Sequence, residues 1–286
     1  MRKTVIAATV ALALTAPTLV MAQAAAPASP HTFTGNVGFA TEYLYRGIAQ
    51  TRGKPALQGG FDYSHASGLY AGTWASNISW ISDAVPGASS SLELDVYGGY
   101  KGSLGGDFGF DVGALAYVYP GSGKTNVPFG QLLKQDTTEV YGALSWKWLT
   151  VKYSHSIGAL FGWAKTTNGV VNGIGNDKTK GSGYLELNGA YDLGDGWGMT
   201  GHVGHQKVKG YSEASYTDYK IGVTKDVGFG VVGLAYTDTN AKDNCAAVAG
   251  GKNALLEPYC FVKGAGPVDR YDAGDNAVVL TFNKSF

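Results

Sequence analysis

The chain has 286 residues with 22 basic and 22 acidic side chains, so it carries no formal net charge and lacks the basic face that nucleic-acid binding calls for. Only 15% of its residues are charged, while 43 are glycine and 18 are tyrosine, a balance unusual for a soluble domain. Beyond the N-terminal segment no stretch approaches the roughly 20 apolar residues of a membrane helix. A membrane-embedded form of this chain therefore spans as a closed barrel, the other structure that satisfies every backbone donor and acceptor in lipid.

In chain order, Arg2 and Lys3 precede an apolar run over residues 4–20 that ends in Val20-Met21-Ala22-Gln23-Ala24. A basic start, an apolar middle and small residues at the end predict a secretory signal peptide over 1–22, cleaved after Ala22 or Ala24. A retained transmembrane helix is disfavoured, because no charged stop-transfer flank follows. Residues 23–33 are rich in Ala and Pro and are expected to be flexible, leaving 34–286 as one folded domain.

Period-2 alternation bounded by Gly, Asn, Asp and Pro predicts twelve strands at about 35–47, 55–65, 68–80, 91–102, 108–119, 136–147, 149–157, 182–193, 198–206, 216–226, 229–239 and 275–286. Each is near the roughly 9 to 11 residues that a tilted strand needs to cross a bilayer. The clearest places Leu92, Leu94, Val96 and Tyr100 on one face and Glu93, Asp95, Tyr97 and Lys101 on the other. Strands 68–80 and 198–206 are ambiguous, with apolar residues on both parities. The last strand alternates cleanly, with Val278, Leu280, Phe282 and Phe286 against Ala277, Thr281, Asn283 and Ser285. By itself it suits a half-buried strand of a soluble sandwich as well as the closing strand of an outer-membrane barrel, for which Phe286 is read as the assembly signal.

The connections favour the barrel. They alternate long and short along the chain, the short ones being 65–68, 102–107, 147–148, 194–197 and 226–228 and the longest 158–181 and 238–274. Short periplasmic turns, longer outside loops and an even strand number are what an outer-membrane barrel presents. Two aromatic belts are expected with them: Tyr45, Trp80, Tyr119 and Tyr236 at the outer ends, and Trp146, Trp148, Trp197, Phe229 and Phe286 at the periplasmic ends.

Several stretches resemble a known family. Asn36-Val37-Gly38-Phe39-Ala40-Thr41-Glu42-Tyr43-Leu44-Tyr45-Arg46-Gly47 is similar to the opening signature of the proteobacterial Gcw_chp family, also called TorF-type porins. Gly72-Thr73-Trp74-Ala75-Ser76-Asn77, Glu93-Leu94-Asp95-Val96-Tyr97-Gly98-Gly99-Tyr100 and Gly183-Tyr184-Leu185-Glu186-Leu187-Asn188 extend the resemblance over nearly the whole mature chain, except 238–274. The resemblance implies a secreted outer-membrane barrel.

Chemistry in such a barrel belongs to the lumen. The less apolar parity of the clear strands places Glu42, Arg46, Asp62, Glu93, Asp95, Lys101, Asp111, Glu139, Lys147, Lys152, Glu186, Asp218 and Lys220 inward, as candidate pore-lining residues. Charges can face a wet interior but cost roughly 2 to 4 kcal/mol for Arg or Lys at the lipid midplane. Eight acids against five bases suggest a weak preference for cations. The competing reading is that acids and bases pair across the lumen as a structural network, with Glu42 and Arg46 as one pair. Cys245 and Cys260 share the last outer loop, and passage through an oxidising compartment predicts a disulfide between them.

An enzyme reading finds little support. His155 is flanked by Ser154 and Ser156, which point to the opposite face, and His202 and His205 lie on opposite parities. There is no Gly-x-Ser-x-Gly elbow, His-Glu-x-x-His or P-loop, and nothing calls for a metal or cofactor. The expectation is an all-β transmembrane antiparallel barrel of about 12 strands in a bacterial outer membrane. It passes small polar solutes passively and has membrane lipid and the barrel-assembly machinery as partners. A non-conducting structural or adhesive barrel and an outer-membrane lipid hydrolase are the alternatives.

Overall fold

The computed structural model describes residues 29–84, 89–122, 134–166, 169–172, 177–262 and 269–286. The signal segment and its cleavage point, and most of the outer loop at 126–135, lie outside the described residues.

Among these residues twelve strands close in sequence order into one antiparallel barrel. They are β1 (His31–Ala40), β2 (Ala56–His65), β3 (Leu69–Asn77), β4 (Leu92–Gly105), β5 (Phe108–Val118) and β6 (Thr137–Trp146). β7 (Leu149–Ser156), β8 (Gly183–Gly194), β9 (Trp197–Lys207), β10 (Tyr216–Asp226), β11 (Val231–Thr239) and β12 (Ala277–Ser285) complete the wall. Closure is made by β12 against β1 in the register Asn36↔Ser285 to Ala40↔Thr281. Two backbone bonds between Gly35 and Phe286, at 2.8 and 2.9 Å, extend that seam and leave no free edge.

Alternation decides which side chain meets which solvent. Leu57 and Phe61 on β2, Val96 and Tyr100 on β4, Leu185 and Leu187 on β8, Ile221 and Val223 on β10 and Val278 and Leu280 on β12 all stand exposed on the outside. Residues of the other parity on the same strands, among them Gln58, Glu93, Asp95 and Asp218, are buried in the interior. An apolar outside around a polar inside is the arrangement a transmembrane barrel requires. In the two strands of mixed parity the cause is now visible. On β3, Tyr70 and Trp74 turn inward beside Ser76, and on β9, His202 and Gln206 turn inward while Met199 and Val203 face out.

The five short connections, the start of β1 and the end of β12 lie at one end of the barrel. Asp195 and Gly196 show the chemistry of these turns: both have positive φ, 51° and 75°, as a type I′ hairpin demands, and the pairing resumes at Gly194↔Trp197. Outward Trp146, Trp148, Trp197, Phe229 and Phe286 ring this end, an arrangement that suits a lipid headgroup level. β1 begins at His31, three residues inside the segment expected to be flexible, because His31, Thr32 and Phe33 pair with β2.

The other end differs from expectation. Tyr236 faces outward there, but Trp80 and Tyr119 are buried, and Tyr45 packs on Tyr117 and Phe161. Their loops fold over and into the barrel mouth, so these rings form a plug instead of a belt. Trp74, Trp80, Tyr117, Tyr119, Leu160, Trp163, Tyr211, Tyr216 and Tyr259 belong to one buried cluster. In the last long connection Cys245 and Cys260 form a disulfide, with Cα atoms 5.0 Å apart. That loop is tied to the connection between β9 and β10 by Tyr259, which donates to the Ala214 carbonyl at 2.7 Å.

Candidate functional site

The site begins where β1 stops. The expected strand to residue 47 ends instead at Ala40, and the chain turns into the lumen as a small ribbon, Leu44–Tyr45 paired with Ile48–Ala49. Arg46 and Gly47 form its tip, with φ of 48° and 79°, the two left-handed residues of a type I′ turn. Glycine also fits the space, since a Cβ on Gly47 would collide with the Asp218 side chain at 2.9 Å. The turn therefore delivers Arg46 into the middle of the barrel.

There Arg46 meets three walls. Its Nη1 and Nη2 donate to the two oxygens of Glu139 at 3.1 and 2.7 Å, a bidentate pair, and Nη1 also donates to Gln206 Oε1 at 2.7 Å. The guanidinium carbon lies 4.1 Å from the centre of the Tyr184 ring and 4.8 Å from that of Tyr45. The Arg46 side chain is only 7% exposed and that of Glu139 only 2%. Glu42, expected to face Arg46, instead accepts from the Gly53 amide at 2.6 Å. It lies on the loop that leads into and out of the ribbon, where burial pushes its carboxyl up.

Around this centre run the strand-borne charges. Lys101, Asp111, Ala143, Lys152, Glu186, Gly204 and Asp218 stand in direct register on β4 to β10, forming one inward belt. Lys152 Nζ lies 3.5 Å from Glu186, and Lys101 sits 5.2 Å over the Tyr70 ring. Tyr70 donates to Asp111 at 2.6 Å and Tyr97 donates to Asp62. Tyr43 and Tyr119 donate to the two oxygens of Glu93 at 2.5 and 2.8 Å. Asp95, on the same face of β4, is buried with its Oδ1 free of hydrogen bonds. Tyr184 donates to Asp218 at 2.7 Å, and its hydroxyl lies across Gly204, where no larger residue fits without displacing it. Lys220 shares the inward face in register with His202.

Lys147 departs from the inward set. It occupies the short turn after β6, half exposed, with its ammonium 4.0 Å from Asp107 and over the Trp146 ring. A lysine in a two-residue turn cannot reach the lumen, and the parity rule fails once the strand has ended. The Glu42–Arg46 pair fails for the same reason, since four residues apart share a face only while the strand continues.

Parity alone could have found His202, Gln206 and Tyr184, which share the inward face with Glu186. His202 has a partner at each ring nitrogen, Asn188 Oδ1 at 2.7 Å on one side and Asp218 Oδ2 at 2.8 Å on the other. His155 faces away from Ser154 and Ser156, both fully buried, and His205 lies on the outer face beside Thr217. No signal in the sequence brought residue 46 to residues 139 and 206, because that contact depends on a loop folding inward.

A closed twelve-strand wall, apolar outside and lined within by charges and tyrosines, defines the class: a transmembrane β-barrel. Within that class the chain belongs to the Gcw_chp family, described as bacterial proteins of unknown function, which it matches over residues 24–263. No curated protein matches it. Among solved structures it is similar to the KdgM porin, with 7% identity and a TM-score of 0.49 over 88% of this chain and 99% of that one. The NanC porin gives 10% identity and 0.45 over 89% and 98%. OccAB1 of Acinetobacter baumannii gives 11% and 0.41 over 82% and 58%. None of these similarities bears on what enters this barrel.

Proposed function

We propose that the protein is an outer-membrane channel for passive diffusion of small polar solutes, with a weak preference for cations. The observation that carries this reading is the inward charged belt on β4 to β10, inside a wall whose outer face is apolar. Charged side chains on a barrel interior belong with water and solute, and twelve strands enclose more room than the eight whose side chains nearly fill the interior. Asp62, Glu93, Asp95, Asp111, Glu139, Glu186 and Asp218 face Arg46, Lys101, Lys152 and Lys220, so acids outnumber bases in the lumen. Acidic linings favour cations. The short turns then face the periplasm, the long loops face outward, and Phe286 serves the machinery that inserts the barrel.

A second reading, a barrel that conducts nothing and acts through its outer loops, is favoured by the aromatic plug at the long-loop end. Single-channel current through the refolded mature chain, with unequal salt across a planar bilayer, separates the two. Discrete steps with a cation-biased reversal potential support the channel. A folded barrel that passes no current removes it, and an anion-biased potential removes the selectivity argument.

A further inference from the structure

Arg46 is held in a way that separates the holder from the held. Glu139, Tyr184 and Gln206 come from β6, β8 and β9, three strands of a closed wall, whereas Arg46 comes from a ribbon of two residue pairs that belongs to no part of that wall. All three holders are more than nine-tenths buried. Their geometry suits a flat fork: two carboxylate oxygens take two different nitrogens, an amide oxygen takes a further N–H, and an aromatic ring lies under the guanidinium carbon. A compact ammonium can satisfy the charge but cannot make the parallel pair and the stack together.

We propose that Glu139, Gln206 and Tyr184 form a guanidinium-binding site inside the barrel, that Arg46 fills it in cis, and that the filled site holds the channel narrow. The class of ligand is a small solute bearing a guanidinium group. Such a solute takes the place that Arg46 occupies, in a cradle where both oxygens of a buried carboxylate and a stacked ring meet one flat cation. The part of the proposal that concerns current rests on the channel reading above. The binding site itself does not.

The test uses the full mature chain, refolded as wild type, as Arg46→Ala and as the double variant Arg46→Ala/Glu139→Gln, with methylguanidinium chloride as probe and methylammonium chloride at equal ionic strength as control. Methylguanidinium is expected to raise the thermal unfolding midpoint of Arg46→Ala above the control, saturating at roughly millimolar concentration, the affinity range of a fragment of this size. Wild type, whose site is filled, and the double variant, whose carboxylate is gone, are expected not to respond. If Arg46→Ala refolds poorly, its refolding yield in the two salts is the readout, with recovery in methylguanidinium alone expected. In bilayers the conductance of Arg46→Ala is expected to rise about twofold or more over wild type and to fall back when methylguanidinium is added. Equal responses to the two salts, or an equal response of wild type and variant, overturn the site. A variant stabilised by methylguanidinium that carries no current keeps the site and overturns only the channel.

Discussion

At the scale of single residues, the buried Arg46–Glu139 pair dominates. Two charges taken out of water are stabilised only by each other and by their hydrogen bonds, so removing one partner strands the other, at a cost of about 3 to 5 kcal/mol. Glu139→Ala is therefore expected to lower barrel stability by roughly that amount in urea unfolding, and Arg46→Met/Glu139→Leu together by clearly less than the sum of the single changes. Asp243, in the connection between β11 and β12, gives a pH dependence of the opposite kind to a paired carboxylate. Burial pushes its carboxyl up to about 6 from 3.8, against the Gly274 amide that donates to it at 2.9 Å. A folded-state value raised in this way means that the packed loop prefers the neutral acid. Stability from this group is lost above about pH 6 and recovered as the pH falls toward the ordinary value. The half-exposed position is screened, so the effect stays below about 1 kcal/mol. Thermal melts from pH 4 to 7 are expected to show wild type falling behind Asp243→Asn only at the upper end.

At the scale of elements, strands and loops answer to different rules. The strands carry their own instruction, because each alternation names an inside and an outside. The last long loop depends on a covalent tie: a disulfide closing a loop with a sequence separation of 15 removes about 3 kcal/mol of unfolded-state freedom on the chain-entropy model. Reduction, or Cys245→Ser/Cys260→Ser, is expected to make the segment from 240 to 276 sensitive to protease. The heat-modifiable gel shift of the barrel should remain, since the wall closes through β12 and β1 without help from that loop. Loss of the whole barrel on reduction would show that the loop, not the seam, decides closure.

At the scale of the whole molecule, an aromatic plug fills the lumen under the long loops, and Asp62, Lys101 and Asp111 lie below it toward the short turns. Asp62 and Asp111 accept from Tyr97 and Tyr70, donors that carry no charge of their own. Asp62→Asn/Asp111→Asn retains the acceptors and removes two negative charges. It is expected to move the reversal potential toward zero in about 0.1 M salt, where the Debye length is about 10 Å, and to have little effect at 1 M, where it is about 3 Å. A potential unchanged by the double substitution at low salt would place ion selection elsewhere, at Glu93, Asp95 and Glu139 around the Arg46 ribbon.

What the sequence determined by itself was the wall. Period-2 patterning gave twelve strands and the inward faces of all but the two of mixed parity, and the alternation of loop lengths gave the two ends, because both are local properties of neighbouring residues. Asp62, Lys101, Asp111, Lys152, Glu186, Asp218 and Lys220 stand on the inward parity for that reason. Only the tertiary structure decided the mouth. Tyr45, Trp80 and Tyr119 have the composition of a membrane belt and become a plug, and Arg46 leaves the strand at Ala40 to reach Glu139, 93 residues away. Such a contact depends on a closed wall to receive it, and no periodicity along the chain records which loop turns inward.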